Sequence, residues 1–191
     1  MQERGLGFSV VSTDYYIEDE ITGQTNRIEQ TLNDVAPASI SEYNGLMIVS
    51  GNMKDTELYW KLPRTLEYVE VARKNNLPIA AICCSVPTIR FAAEGKRVSF
   101  FPLLRSRELL GNAGAILSTT SISVDGNLVT AEHQMATQVW AALFTDLVLT
   151  GKVSDPGLID SGFTPGKKRP RKPIAELEYL KSLKRGNKTQ R

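Results

Sequence analysis

Pro78-Ile-Ala-Ala-Ile82, followed at once by Cys83-Cys-Ser-Val-Pro87, is an apolar run that turns directly into a helical start. Five residues without a polar side chain read as a strand covered on both faces. Ser85 is a suitable N-cap and Pro87 suits the first helical turn. A thiol at that junction sits at the carboxyl end of a strand, where open α/β sheets place their ligands. It also lies under a helix N-terminus, whose partial positive charge favours thiolate. A nucleophile on so tight a turn needs small residues two before and two after it. Around Cys83 these are Ala81 and Ser85; around Cys84 they are Ile82 and Val86, both β-branched. The elbow reading therefore selects Cys83. The same cysteines also fit as small buried hydrophobes filling a strand–helix corner, and the local sequence leaves both readings open.

Working outward, Phe8–Ser12 and Gly45–Val49 are further short β-rich runs. Leu58, Leu62, Leu66, Val69 and Ala72 recur at a helical period and predict a helix over 58–75, ended by Asn75-Asn76. Ser121–Val124, the turn Asp125-Gly126 and Leu128–Thr130 predict a hairpin. A last helix is expected from Met135 to Leu149, with Val139, Leu143, Phe144 and Leu147 on one face. Strands alternating with helices predict an α/β fold whose mostly parallel sheet is covered on both sides.

The 191 residues are 41% hydrophobic and 23% charged, the balance of a globular protein. Two adjacent cysteines exclude a disulfide framework, and a single histidine, His133, excludes a Cys/His-rich zinc site; no metal is expected. No apolar run approaches the roughly 20 residues of a membrane span, and nothing at the start reads as a signal peptide. The expected compartment is reducing and cytoplasmic, with no membrane partner. Charge divides the chain. Residues 1–151 hold 12 Lys/Arg against 17 Asp/Glu, net −5, whereas residues 152–191 hold 11 against 4, net +7. Turn chemistry at Asp155-Pro-Gly157 and Thr164-Pro-Gly166 supports a boundary near Gly151. Beyond it a basic tail carries Lys167–Lys172, which fits a nucleic-acid or import patch or a solvated extension. Ile174, Leu177, Leu180 and Leu183 then form a short helical stripe.

Three further motifs carry a resemblance. Glu42-Tyr-Asn-Gly-Leu-Met-Ile-Val-Ser-Gly-Asn52 is similar to a family strand and turn written "eyDalvlPGG". Leu77-Pro-Ile-Ala-Ala-Ile-Cys83 is similar to "kpvaAIC", the elbow bearing that family's cysteine. Asn112–Ala115, followed by Val124-Asp-Gly-Asn-Leu-Val-Thr130, resembles "naGa…vvDGnlvTsr". In this order, over residues 3–149, they resemble the ThiJ/PfpI superfamily, the DJ-1 and PfpI proteins of the class I glutamine amidotransferase-like fold. The resemblance implies a flavodoxin-like three-layer sandwich, a homodimer or higher homo-oligomer, and no cofactor. It also implies cysteine chemistry on carbonyl compounds: amide or peptide hydrolysis, or glyoxalase or deglycase activity on a small molecule.

Departures from the family pattern qualify that expectation. Met1–Gly5 aligns with the end of the family's first helix, so the first strand, its glutamate and most of that helix are expected to be missing. An upstream start, a different closure by residues 6–12, or a strand supplied by a partner are the alternatives. Cys84-Ser85 stand where PfpI-type members have His-Gly, and Gly51-Asn52 replace a glycine pair. Gly51 can still present a backbone N–H to an oxyanion, with Asn52, Cys84 and Ser85 as its neighbours in an oxyanion or binding site. His133, after the Leu128–Ala131 run, is the candidate replacement base or proton carrier; Glu132 is available to orient it, and an exposed loop histidine is the bland alternative. Ser118, Thr119 and Thr120 lie near Gly114, in a region where some members carry a histidine. Arg90, Arg105 and Arg107 fit either an anionic substrate or surface charges on a dimer rim. A catalytically degenerate protein, acting by binding or by redox response, is the competing expectation.

Overall fold

The computed structural model describes residues 5–18, 22–49 and 57–153. Gly51, Asn52, the Lys167–Lys172 run and the Ile174–Leu183 stripe lie outside them. The chain divides into two units, Met1–Ser161 and Gly162–Arg191, and the described residues all belong to the first.

Among the described residues the strands are, in chain order, β1 Val11–Ser12, β2 Tyr16–Glu18, β3 Thr25–Arg27, β4 Gln30–Thr31, β5 Leu46–Ile48, β6 Ile79–Ile82, β7 Arg97–Val98, β8 Ile116–Leu117, β9 Ile122–Asp125 and β10 Leu128–Ala131. The central sheet has the order β5-β6-β10-β9. β5, β6 and β10 run parallel, and β9 closes antiparallel on β10. The hairpin turns on Gly126-Asn127, with Leu128 opposite Asp125 and Gly126 at φ +60°, a conformation that favours glycine.

Every residue of β6 and β10 is buried, as expected of strands without polar alternation. Their side chains alternate between two cores. Ile79, Ala81 and Leu128 pack with Tyr68, Val69 and Ala72 of helix α1, Pro63–Lys74, and with Val86 and Ile89. Ala80, Ile82, Val129 and Ala131 pack on the opposite face with Trp140, Leu143, Phe144 and Leu147 of helix α3, Thr137–Thr150. Between them in sequence, helix α2 spans Leu104–Asn112 and sends Leu110 to the first core. The structure is thus α/β, with a mostly parallel sheet between two layers.

Three local expectations are revised. The helix expected over 58–75 is broken: a helical turn at 57–59 is followed by an extended Leu62 (φ −65°, ψ 116°), and α1 begins at Pro63. The residue before a proline is driven out of helical backbone, so Pro63 restarts the helix rather than continuing it. The last helix starts later than Met135, because His133 caps a short 3₁₀ turn, Gln134–Ala136, ahead of α3. In the run expected over Phe8–Ser12, only β1 is strand, and it pairs in parallel with β4, in a two-stranded sheet apart from the central one.

Candidate active site at the cysteine elbow

β6 ends at Ile82, and Cys83 follows with φ +59°, in the left-handed region that a residue with a Cβ occupies only at a cost. The small neighbours demanded by such a turn are in place: Ala81 and Ser85 are both almost fully buried. Ser85 fixes the turn. Its hydroxyl accepts from Ile82 N–H at 3.1 Å and lies 2.7 Å from Ile82 O and 2.9 Å from Ile48 O. It therefore ties the ends of β6 and β5 together, and those backbone partners occupy the hydroxyl.

The expected α-helix after the elbow is instead a 3₁₀ run, Cys83–Ala92, kinked at Ile89. Pro87 has no N–H to give to the Cys83 carbonyl, four residues back. Phe101 N–H meets that carbonyl at 3.5 Å, and Trp60 Nε1 donates to the Cys84 carbonyl at 2.7 Å. Trp60, Cys84 and Leu103 form a small apolar cluster against which Cys83, Phe101 and Leu109 pack. Arg90 pins this arrangement: Nη1 donates to Trp60 O at 2.8 Å and lies 3.2 Å from Pro87 O, and its partial burial lowers its pKa. Arg90 thus serves the walls of the site.

Cys83 is half-buried and Cys84 buried, with their sulfurs 3.8 Å apart and sharing a hydrogen bond. The Cys84 pKa is pushed far above the ordinary thiol value, first by its hydrogen bond with Cys83, then by burial, then by the charges of Cys83 and Glu57. Cys84 is the member of the pair that keeps its proton. Glu57, on the turn preceding Trp60, also pairs with Arg105 at 3.0 Å.

His133 is half-buried, its ring centroid 6.2 Å from that of Phe101. Phe101 thus touches the elbow through its backbone and the imidazole through its ring. His133 Nδ1 accepts from Met135 N–H at 3.2 Å. A ring nitrogen that accepts carries no proton, so the neutral imidazole holds its proton on Nε2. Glu132 enters through its backbone, N–H donating to Ser121 O at 2.8 Å. Ser118 and Thr120 belong to a hydroxyl chain: Ser118 Oγ lies 2.7 Å from Thr120 Oγ1, and Ser99 Oγ 2.7 Å from Ser123 Oγ. Arg107 lies over the Phe100 ring at 5.7 Å. Among the described residues no group of three or more His, Cys, Asp or Glu could hold a metal.

The sequence reading missed Glu57, Trp60 and Phe101. Trp60 falls off the apolar period that begins at Leu58, and Phe101 reaches the elbow only through the tertiary fold. The one legible signal was spacing: Glu57 and Trp60, three apart, share a helical turn.

The model of the DJ-1/PfpI family matches residues 1–146. The chain belongs to the DJ-1/PfpI family. An uncharacterized protein of Methanocaldococcus jannaschii is 31% identical to this DJ-1/PfpI chain over 133 residues, 69% of the chain and 63% of that relative. The chain therefore matches somewhat less than two thirds of the relative's length. A ThiJ/PfpI domain protein from Brachyspira murdochii is similar in structure, with a TM-score of 0.61 at 17% identity, covering 77% of this chain and 80% of that one. Schizosaccharomyces pombe DJ-1 gives 0.55 at 18%, over 75% and 74%. At these identities the structural likeness establishes the fold, which is the flavodoxin-like one. No helix among the described residues is long and apolar enough to cross a membrane.

Proposed function

We propose that this DJ-1/PfpI protein is a cysteine-dependent enzyme acting on carbonyl compounds, with Cys83 as nucleophile. The observation carrying this reading is the left-handed backbone of Cys83 at the carboxyl end of β6, beside a neighbour that retains its own proton. Fixing a side chain in a costly conformation is a feature of functional sites. In the proposed reaction the Cys83 sulfur adds to the carbonyl carbon, and the π electrons move to oxygen. The tautomer of His133 favours one role among those open to it: Nε2–H gives its proton to the developing oxyanion. Gly51, with Asn52 beside it, is the proposed backbone donor to the same oxygen. Amide or peptide hydrolysis and glyoxalase or deglycase chemistry share this first step. We further read the protein as cytoplasmic and self-associating on the strength of its family. Contact of Lys167–Lys172 with nucleic acid, if made, would weaken steeply with added salt.

The test is turnover of a panel of 2-oxoaldehydes and peptide amides, alongside labelling of Cys83 by iodoacetamide. Cys83→Ala should abolish turnover with the circular dichroism unchanged. His133→Ala should lower turnover about 10²-fold or more while Cys83 still labels at the wild-type rate, because an acid is needed after sulfur attack and not before it. Turnover that survives Cys83→Ala overturns the reading. A Cys83 inert to iodoacetamide favours the degenerate binding protein instead.

A further inference from the structure

Adjacent cysteines are uncommon partners, and here they are unlike each other. The Cys83 sulfur stands at a half-buried elbow, whereas Cys84 is 2% exposed behind Trp60 and Leu103. Only 3.8 Å separates the two sulfurs. We propose that Cys84 is a resolving thiol: when a hydroperoxide oxidises Cys83, Cys84 closes on it to form a vicinal disulfide, and Cys83 is spared further oxidation. This rests on the reading of Cys83 as a nucleophile, and adds a second reaction of the same sulfur with a different class of substrate.

Two steps balance. In the first, the Cys83 thiolate attacks a peroxide oxygen; the S–O bond forms, the O–O bond breaks, and the leaving alkoxide or hydroxide takes a proton from water. Sulfur is oxidised by two electrons to the sulfenic acid and the peroxide is reduced to an alcohol or water. In the second, the Cys84 sulfur attacks the Cys83 sulfur; the S–S bond forms and the S–O bond breaks. The departing hydroxide leaves as water, carrying the proton that Cys84 had kept.

The environment of Cys84 suits that order. Its proton is held most strongly by the hydrogen bond with Cys83, and next by burial. Oxidation of the Cys83 sulfur breaks that hydrogen bond, so the grip on the proton loosens when Cys84 is required to react. Trp60 and Leu103 cover Cys84, so a thiol from solution meets Cys83 first. Closing the pair to an S–S bond of about 2.05 Å requires side-chain rotation within an eight-membered ring. Neighbouring Cα atoms are about 3.8 Å apart, less than the usual span of a disulfide, so the bond is strained and readily reduced. Such a bond fits a reversible state of the elbow rather than a staple.

The experiment uses the reduced full-length chain treated with hydrogen peroxide and followed by intact and peptide mass spectrometry. The expected result is a loss of about 2 Da confined to the peptide holding Cys83 and Cys84, reversed by dithiothreitol, with no gain of about 32 Da. In Cys84→Ser, Cys83 should be trapped by dimedone as the sulfenic acid and then gain about 32 Da. Wild-type Cys83 that gains about 32 Da in place of the loss of about 2 Da overturns the proposal, as does a disulfide joining two chains. These outcomes in the wild-type chain are decisive even where the variant fails to fold. A Cys83 that ignores both peroxide and iodoacetamide overturns the nucleophile reading itself, whereas one that alkylates yet never closes on Cys84 overturns only the vicinal disulfide.

Discussion

At Cys83 the backbone and the sulfur make opposing demands. A φ of +59° suits glycine, yet the position holds the side chain on which the proposed chemistry depends. A left-handed residue with a Cβ costs about 1–2 kcal/mol. Comparing two truncations isolates that cost, because both delete the sulfur and only one deletes the Cβ. Cys83→Gly should unfold at a higher urea concentration than Cys83→Ala, by about 1 kcal/mol in unfolding free energy, although glycine gains more disorder on unfolding. Both should be inert to iodoacetamide at position 83. If Cys83→Ala matches or exceeds the glycine variant, the turn is relaxed and the strain argument fails. The neighbouring demand for small residues was legible in the sequence, since Ala81 and Ser85 flank Cys83 whereas β-branched residues flank Cys84. Which role Ser85 plays was not legible. A serine after a strand reads equally as a ligand or a clamp, and only the Ile48 and Ile82 backbone atoms around its hydroxyl distinguish them.

Among the elements, β5 is placed by a close approach at Gly45. A Cβ there would stand 2.8 Å from Phe144 Cζ, 3.0 Å from Val148 Cγ2 and 3.2 Å from the Pro78 carbonyl. The first two atoms belong to α3 and the third to the entry of β6, so Gly45→Ala pushes the strand away from both. Overpacking of this kind costs about 1–3 kcal/mol, read as a lower urea midpoint with an unchanged slope. Because Ser85 joins Ile48 to the elbow, the shift should also change the rate at which Cys83 alkylates. Asp34 ties β4 to the residues before β2. It accepts from Thr31 N–H at 2.7 Å, and from the Thr31 and Tyr15 hydroxyls at 2.8 Å each. Those donors, the Thr31 amide foremost, hold its pKa below the usual carboxylate value. A depressed folded pKa contributes stability above the unfolded value of about 3.9, and that stability is lost as the pH falls through the folded value. Asp34→Asn should therefore be less stable than wild type at pH 5, and the gap should close as the pH approaches 2. Glu70, lowered to about 2 chiefly by its hydrogen bond with Arg73, titrates with the same sign and leaves a residual slope in the variant. A gap that stays constant with pH counts against the carboxylate's role.

For the molecule as a whole, one sheet serves two cores. β6 and β10 contribute alternate residues to each, so the period of two along a strand becomes the two faces of the fold. For β6 this was readable from sequence, because its uninterrupted apolar run excludes a solvent face, whereas β10, which holds Thr130, read as the second strand of a hairpin. Helix boundaries were read less well, since Pro63 and the His133 cap override an apolar period that runs through them. The convergence of Glu57, Trp60 and Phe101 on the elbow was legible only as the shared turn of Glu57 and Trp60, since Phe101 arrives from a segment distant in sequence. Two cores on shared strands make a specific thermodynamic expectation. Ile89 lies in the first core and Leu143 in the second, both with no exposed surface, and neither packs in the other's cluster. Ile89→Val should cost about 0.5–1.5 kcal/mol and Leu143→Ala about 2–5 kcal/mol. Sites without shared partners add to within about 0.5 kcal/mol, so the double variant should equal the sum of the singles. Because β6 and β10 cannot leave one core without leaving the other, all three variants should unfold in one urea transition, with far- and near-ultraviolet dichroism coincident. Separation of the two signals in Leu143→Ala would show the α3 face melting by itself, and the sheet would then be a boundary between two cooperative units rather than their common strut.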